Sequence, residues 1–570
     1  MYTFVYFIEL LNSITEKEVQ KVILANCQSK NYLLQEEKTM KNIFVGGAWP
    51  YANNSLHLGH IAALLPGDII ARYFRKCGNR VLYVSGTDCH GTPITLRAKK
   101  EHIAPEEIAL TYHNEFKTCF EKLGFSYDKY TLTCNDFHKH LVQEVIKLLN
   151  DENYIYEKTE LQDFCETCNQ FLSDREIEGT CPICGGHAKG DQCDDCHATF
   201  NPTDIKNKVC KHCGTPVSHR ANTHLYWKLS AFQEAIFSYV SSHEDLWRFN
   251  AVNESKKYLK SGLPDRAITR QLDWGVDVPI SGFEDKKIYV WIEAVLGYIS
   301  TGIAYCNEHN LDWRDFYLDS PNLDTYYVHG KDNIPFHTII YPALLLSIGH
   351  NFQLPKHIVS SEFLNIDDEK ISKSKGNGIA VKDIIEAYQA DTLRYCLIYQ
   401  GPERKDTNFT FDILHQLHNK SLVGEYGNFV NRNLAYLVKK FNGIIPSGVV
   451  DSEVKATIDA TYEKVGELIA QAEFRAAIQE IQQLVRYSNK YYDDNQPWIK
   501  VKEDINEFNN ITATCISLIA NIANLYEPFI PFSSEKVFSF FGIKNPNWGY
   551  ISVEPETTLK DVSILFSRID

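Results

Sequence analysis

The sequence predicts an α/β chain: a split, Rossmann-like doubly wound parallel sheet with a cysteine-rich insertion, followed by an all-α helical bundle. Three observations predict it. An apolar strand, a helix-length apolar pattern and a second apolar strand follow one another twice, over 42–86 and 325–364, as in βαβ units of a parallel sheet. Four C-x-x-C pairs crowd between Cys165 and Cys213, in the stretch that separates the two units. From about Phe411 onward the apolar residues recur at helical spacing, with few strand signals.

The first unit opens with the strand "NIFVGG" (42–47). The loop 48–56 carries Pro50, Asn53, Asn54 and Ser55, which are turn and helix-cap residues. An apolar pattern from Leu58 to about Tyr73 is long enough for a helix, and "RVLYVSG" (80–86) is the second strand. His57 and His60 of "HLGH" therefore fall in the first turn after a strand, at the carboxyl edge of the sheet, where doubly wound folds bind nucleotides. A helix N-terminus presents unpaired N–H groups and partial positive charge. Two histidines one turn apart add donors for a phosphate, and Gly59 lets a nucleotide lie close to the backbone.

The second unit reads as the strand "TYYVHG" (325–330), a helix over 335–348 and the strand "KHIVSSEFL" (356–364). After it comes "KISKSKGN" (370–377), in which Lys370, Lys373 and Lys375 surround Ser372 and Ser374. A multiply cationic loop suits the charge that develops on a transferring phosphoryl group. Farther on, 455–494 has apolar residues at helical spacing.

A net charge of −15 over 570 residues excludes a generic polyanion binder, so any nucleic-acid contact must use a local basic patch. No apolar run approaches the ~20 residues that cross a membrane, and the expected location is the cytoplasm. Of sixteen cysteines, eight form the four pairs Cys165/Cys168, Cys181/Cys184, Cys193/Cys196 and Cys210/Cys213. Clustered C-x-x-C pairs in a cytosolic chain indicate metal rather than disulfides. Eight thiolates suffice for two tetrahedral four-cysteine zinc sites, closed and therefore structural. Spacing alone permits sequential, nested or interleaved pairing. Asn169, Gly185 and Gly214 follow three of these cysteines and tolerate the positive φ of a tight turn around a metal.

An H-x-G-H helix start in one βαβ half and K-x-S-K-S after the other resemble the paired signature of class I aminoacyl-tRNA synthetases. "GTDCHGTPI" (86–94), "YVWIEAVLGY" (289–298), "HGKDNIPFHTIIYPALL" (329–345) and "KISKS" narrow the resemblance to the methionyl-tRNA synthetases, from about residue 41 to at least Trp498. It implies ATP-dependent ligation of methionine to tRNA through a methionyl-adenylate, with ATP, L-methionine and tRNA as partners and Mg²⁺ beside the ATP. A monomer is the default expectation. His57, His60, Lys370 and Lys373 would be catalytic, and Gly59, Ser372 and Ser374 would complete the ATP site. Asp88 would hold the α-ammonium, and Trp49, Tyr51, Trp291, Ala294, Tyr298 and His337 would line the methionine pocket. Asn428, Arg432 and Trp498 would read the anticodon. Single-zinc members keep a knuckle similar to "GTCPICGGHAKGDQCDDC", which implies nesting: Cys181, Cys184, Cys193 and Cys196 on one zinc, and Cys165, Cys168, Cys210 and Cys213 on the other.

The implied domains are an N-terminal extension (1–40), two catalytic halves (41–125 and 256–365), a connective insertion with the knuckles (126–255), a KISKS loop and stem-contact region (366–410) and a helical anticodon-binding domain (411–570). The chain departs from the family's commoner residues at Trp49, Val295, Ile340 and Tyr341, around the pocket. A synthetase-like enzyme for another amino acid, or a non-catalytic zinc-containing tRNA-binding protein, is the alternative reading. Its only methionines are Met1 and Met40, and the first strand starts just after Met40. The expectation is that Met40 is the initiator and that residues 1–39 are not made or are disordered.

Overall fold

Long runs of Val, Ile, Leu and Tyr with no polar alternation suit strands covered on both faces, and such strands form the centre of the fold. The computed structural model describes residues 40–172, 176–189, 192–193, 195–196, 204–366, 369–370 and 379–570. The expectation about residues 1–39 lies outside them. The chain divides into two compact units. One holds Met1–Leu141, Phe232–Gly262 and Ala294–Asp570, and the other holds Val142–Ala231 and Leu263–Glu293.

In the first unit, β1 (Asn42–Gly47), β2 (Arg80–Thr87), β3 (Lys129–Leu132), β4 (Leu323–Gly330) and β5 (His357–Ser361) form a sheet in the order β5-β4-β1-β2-β3. Every pair is parallel. The chain steps from β1 outward to β3 and then returns to the other side of β1. This makes the β1/β4 boundary the switch point, where loops part at the carboxyl edge. Helix α1 (Leu58–Lys76) joins β1 to β2 and buries Ile61, Leu65, Ile69 and Ile70.

Asp68 of α1 is fully buried and accepts from Arg72 at 2.9 Å and from Arg394 at 2.7 Å. Burial alone raises a carboxyl pKa, but the two guanidiniums outweigh it and hold Asp68 well below the usual range. Arg394, on α2 (Ala390–Tyr399), also donates to the carbonyls of Pro528 and Phe529, so this buried cluster ties α1 to the helical bundle.

The bundle comprises α3 (Asn428–Phe441), α4 (Ser452–Ala470), α5 (Phe474–Asn495), α6 (Pro497–Glu503), α7 (Ile505–Tyr526) and α8 (Pro531–Phe541). Every residue of α7 from Thr514 to Tyr526 is buried, as expected of a helix with neighbours all round. The periodic stretch 455–494 is two helices, not one. The chain breaks at Ala472, whose φ of 59° is a left-handed conformation that no glycine or proline announces.

In the second unit, Ile155–Cys165 pairs antiparallel with Ser218–Trp227. A smaller sheet of Ile177–Thr180, His187–Lys189, Gln192–Cys193 and Lys206–Cys210 carries Cys193 and Cys210, and Cys181 directly follows its first strand. Among the described residues, no helix is long and apolar enough to cross a membrane.

Candidate active site

The loop after β1 is pinned to both strands that flank it. Ala48 N–H donates to Val328 O of β4 at 2.9 Å, and Asp88, just past β2, exchanges backbone hydrogen bonds with Pro50 and Ala52, both 2.9 Å. Tyr51 thereby pairs with Asp88, and its hydroxyl donates to the carbonyl of His90. The Asp88 side chain is buried at this edge. Loop 48–56 then delivers His57 to the N-cap of α1 in an extended conformation. His57 N–H donates to Nδ1 of His60 at 3.1 Å, and the two rings stack with centroids 3.7 Å apart. With Nδ1 as acceptor, the proton of a neutral His60 ring sits on Nε2, which makes that atom a donor.

Ser372, Lys373 and Ser374 lie outside the described residues. Lys370 pairs with Asn365 through its backbone. Beyond the loop the chain returns to the histidine turn: Ala380 bridges His57, and Val381 N–H donates to Leu56 O at 2.8 Å. The segment that ends the lysine loop is thus anchored where the two histidines start α1.

Behind this edge lies an aromatic wall. Tyr298 is fully buried and its hydroxyl donates to His337 Nε2 at 2.8 Å, while His337 Nδ1–H donates to Asn333 O at 2.8 Å. Both ring nitrogens are committed to the neutral form, and burial pushes the pKa down to about 4. The His329 ring stacks on His337 at 4.1 Å. Tyr327 meets Tyr298 edge-on at 5.2 Å, and Tyr341, Ile340 and Ala294 are buried. Trp49 stands edge-on to Tyr298 at 6.5 Å. Its indole fits because two neighbours lack a side chain. A Cβ on Gly86 would sit 2.1 Å from the ring, and one on Gly297 would sit 2.6 Å from it. Trp291 is in the second unit, half-buried on the helical turn Val290–Glu293.

The cysteines separate into two groups. Cys165, Cys168, Cys210 and Cys213 bring their sulfurs within 4.8 Å of one another, as do Cys181, Cys184 and Cys196. Cys193 pairs with Ala188 across a hairpin, and its side chain lies outside the described residues. Sulfur separations of 3.4 Å (Cys165–Cys213), 3.9 Å (Cys168–Cys210) and 3.9 Å (Cys181–Cys196) are far too long for disulfides. They fit the ~3.8 Å edge of a tetrahedron with ~2.3 Å metal–sulfur bonds. Asn169, Gly185 and Gly214 take φ of 51°, 77° and 71°. Amides turn toward the sulfurs there: Cys168 N–H reaches Cys165 Sγ at 3.3 Å, and Gly186 N–H reaches Cys184 Sγ at 3.3 Å. Such donors stabilise thiolate charge, so the donor set fits a thiolate-bound metal.

In the bundle, Asn428 and Arg432 lie four residues apart on α3, with Asn428 exposed. Arg432 borders a shallow recess with Tyr436, Tyr492, Phe508 and the exposed Trp498, whose ring opens to solvent beside it.

Residues 43–434 match the family described as "tRNA synthetases class I (M)", and residues 446–563 match the "Anticodon binding domain of methionyl tRNA ligase". The chain is 47% identical to Methionine--tRNA ligase 1 of Alkaliphilus oremlandii (strain OhILAs) over 529 residues. It is 49% identical over 535 residues to Methionine--tRNA ligase of Bacillus cereus (strain B4264). Both matches span 93% of this chain and 97% of the relative. The chain belongs to the methionyl-tRNA synthetases. The solved Mycobacterium tuberculosis methionyl-tRNA synthetase bound by methionyl-adenylate shares the fold of this synthetase. Its TM-score is 0.77 at 24% identity, over 92% of this chain and all of that one.

The first unit of the synthetase brings His57, His60, Asp88, Tyr51, Trp49, Tyr298, Ala294 and His337 to one sheet edge and the wall behind it. Sequence reading passed over Gly86, Gly297 and His329. His329 lies inside the quoted "HGKDN" and the two glycines inside "GTDCHGTPI" and "VLGY", but what each touches is remote in the chain.

Two expectations follow from this wall. The unfolded His337 ring titrates near 6.5 and the folded one near 4, so between these values the unfolded state holds more protons. Stability therefore rises with pH across that window. It is lost as pH falls from about 6.5 to about 4, at up to about 1.4 kcal/mol per unit for this group. Urea midpoints at pH 7 and pH 5 should differ less in His337→Gln than in the native chain; an equal difference would remove His337 as a source. The second concerns fit. Gly86→Ala should raise the methionine KM about tenfold or more by displacing the Trp49 ring, and should cost little in a Trp49→Leu background. Equal damage in both backgrounds would mean that the indole is not what Gly86 accommodates.

Proposed function

We propose that this synthetase activates methionine at the β1/β4 edge and transfers it to a tRNA whose anticodon is read in the bundle. The observation that carries the reading is the Tyr51–Asp88 bridge. It ties the loop between β1 and α1 to the buried Asp88 at the end of β2, and that same loop runs on to the stacked His57–His60 pair. Asp88 holds the α-ammonium, since a buried carboxylate calls for a cationic partner. Tyr51, Ala294, Tyr298, His337 and Trp49 enclose the thioether, to which aromatic rings are favourable neighbours.

The methionine carboxylate attacks the α-phosphate, forming the carboxyl–phosphate bond as the bond to pyrophosphate breaks. His57, His60, Lys370 and Lys373 meet the charge on the phosphates, with Gly59, Ser372 and Ser374 along the nucleotide. Mg²⁺ accompanies the ATP. A hydroxyl of the terminal adenosine of tRNA then takes the methionyl group and AMP leaves. No covalent enzyme intermediate is needed, since positioning and electrostatics supply the rate. The cysteine module holds two structural zinc ions in the nested arrangement. Asn428, Arg432 and Trp498 read the anticodon by base-edge hydrogen bonds and stacking. The enzyme acts as a cytoplasmic monomer.

ATP–pyrophosphate exchange with each amino acid in turn tests this reading. Exchange driven by methionine alone supports it, and exchange driven by another amino acid overturns the substrate assignment. The lysine loop has its own test. Lys373→Ala should slow single-turnover adenylation on the order of a hundredfold, with methionine and ATP affinities changed far less, because the charge it meets develops in the transition state. Weakened ground-state binding at an unchanged rate would refute that role.

A further inference from the structure

Tyr492 lies one helix away from the three residues assigned to the anticodon, yet it touches two of them. It is on the last turns of α5, with its ring half-buried. The Arg432 guanidinium sits over that ring with its carbon 4.1 Å from the centroid. The Trp498 ring lies 5.5 Å from the Tyr492 ring at an interplanar angle of 39°. All three border the recess between α3, α5, α6 and α7.

The hydrogen bonds of Arg432 come from α5 as well. It donates to Asp493 at 2.9 Å and to the side-chain and backbone oxygens of Asn489 at 3.1 and 3.3 Å. These bonds hold the guanidinium by its edge. An edge contact alone leaves the group free to tilt out of its plane. A ring against one face removes that freedom, and a cation over an aromatic face is itself attractive. The same ring limits how Trp498 can turn, since the indole follows the left-handed Gln496 and the Pro497 that starts α6, and so approaches Tyr492 from a fixed direction.

We propose that Tyr492 is a positioning residue for anticodon recognition. It stacks under Arg432, buttresses Trp498, and presents both to single-stranded bases as one preformed surface. The proposal rests on the anticodon reading given above. Its physical content is preorganisation. Bases meeting a fixed stacking face and a fixed donor fork do not bear the cost of ordering two long side chains on binding.

The test is steady-state aminoacylation with the full-length enzyme and methionine-accepting tRNA. Methionine-dependent ATP–pyrophosphate exchange and thermal unfolding are run alongside. Tyr492→Leu should raise the KM for tRNA on the order of five- to thirtyfold, with kcat and exchange within about twofold of the native chain. Tyr492→Phe keeps the ring and should restore the native KM. Tyr492→Met is a second ring-deleted variant, whose flexible side chain fills the space should Leu pack poorly. In an Arg432→Gln background, Tyr492→Leu should lose most of its effect, because the residue it positions is already gone.

An unchanged KM in both ring-deleted variants, with Arg432→Gln and Trp498→Ala each raising it, overturns the proposal and leaves the anticodon reading standing. Full additivity with Arg432→Gln also overturns it. If Arg432→Gln and Trp498→Ala leave the tRNA KM unchanged, the anticodon reading itself fails and the role of Tyr492 falls with it.

Discussion

Asp88→Asn should leave an enzyme that folds and binds ATP but activates methionine about a thousandfold less efficiently. The magnitude follows from where the carboxylate sits. Asp88 is 2% exposed, and its backbone N–H and C=O are both used in pinning loop 48–56. The substitution keeps those backbone bonds and the side-chain shape, so the loop should hold its course. What disappears is the negative charge proposed to face the substrate ammonium. Removing one member of a buried, hydrogen-bonded charge pair costs about 3–5 kcal/mol, because the other member is left uncompensated away from water. That range converts to between two and nearly four orders of magnitude. The measurement is methionine-dependent ATP–pyrophosphate exchange, with ATP affinity followed separately. The loss should appear in kcat/KM for methionine with ATP binding intact. Exchange within about tenfold of the native enzyme would show that Asp88 does not hold the ammonium.

The parts of this site that the sequence disclosed are those encoded locally. "NIFVGG", the capped loop and "HLGH" announce a strand, a turn and a helix start, and the structure has β1 ending at Gly47 and α1 starting at Leu58. Asn169, Gly185 and Gly214 announced tight turns after cysteines because positive φ is a property of single residues. What stayed hidden depends on residues far apart in the chain. Nothing near Gly86 or Gly297 says that an indole from position 49 lies against both. The Tyr492–Arg432 stack joins two helices of the bundle, and neither residue carries a local signal for it. Regular periodicity also conceals its own exceptions. The segment Phe336–Ile340, which carries His337, winds as a π-helix, and Ala472 breaks a pattern that reads as continuous. In both cases tertiary packing overrides a local preference, and a pattern of apolar spacing does not register it.

Cys165→Ser and Cys181→Ser should each remove one zinc, and not the same one. The expectation starts from the sulfur positions. Cys165, Cys168, Cys210 and Cys213 converge although the two pairs are more than forty positions apart in sequence, while Cys181, Cys184 and Cys196 converge inside the loop that the outer four close. Sequential pairing would put Cys165 and Cys168 with Cys181 and Cys184, and the geometry keeps those two pairs in separate groups. Each site, once four thiolates are engaged, has no open position, so its metal contributes to folding rather than to chemistry. A structural zinc of this type supplies about 10–16 kcal/mol in isolated zinc-finger peptides. That is comparable to the whole stability of a domain, so loss of either ion should unfold its part of the insertion. The outer cluster is the more damaging to lose. Cys165 ends the long strand Ile155–Cys165, and both Cys165 and Cys210 are fully buried with Leu172, Ile177 and Ile205. Among the described residues the inner cluster holds a short hairpin, with Cys181 and Ala188 as its buried pair. Elemental analysis of the purified native enzyme should find two zinc ions per chain, and about one in each variant. Limited proteolysis should cut Cys165→Ser around the strands that the outer four cysteines tie together and Cys181→Ser only near the inner hairpin. If both variants retain zinc in the outer cluster, or if one substitution empties both sites while the other empties neither, the nested assignment is wrong.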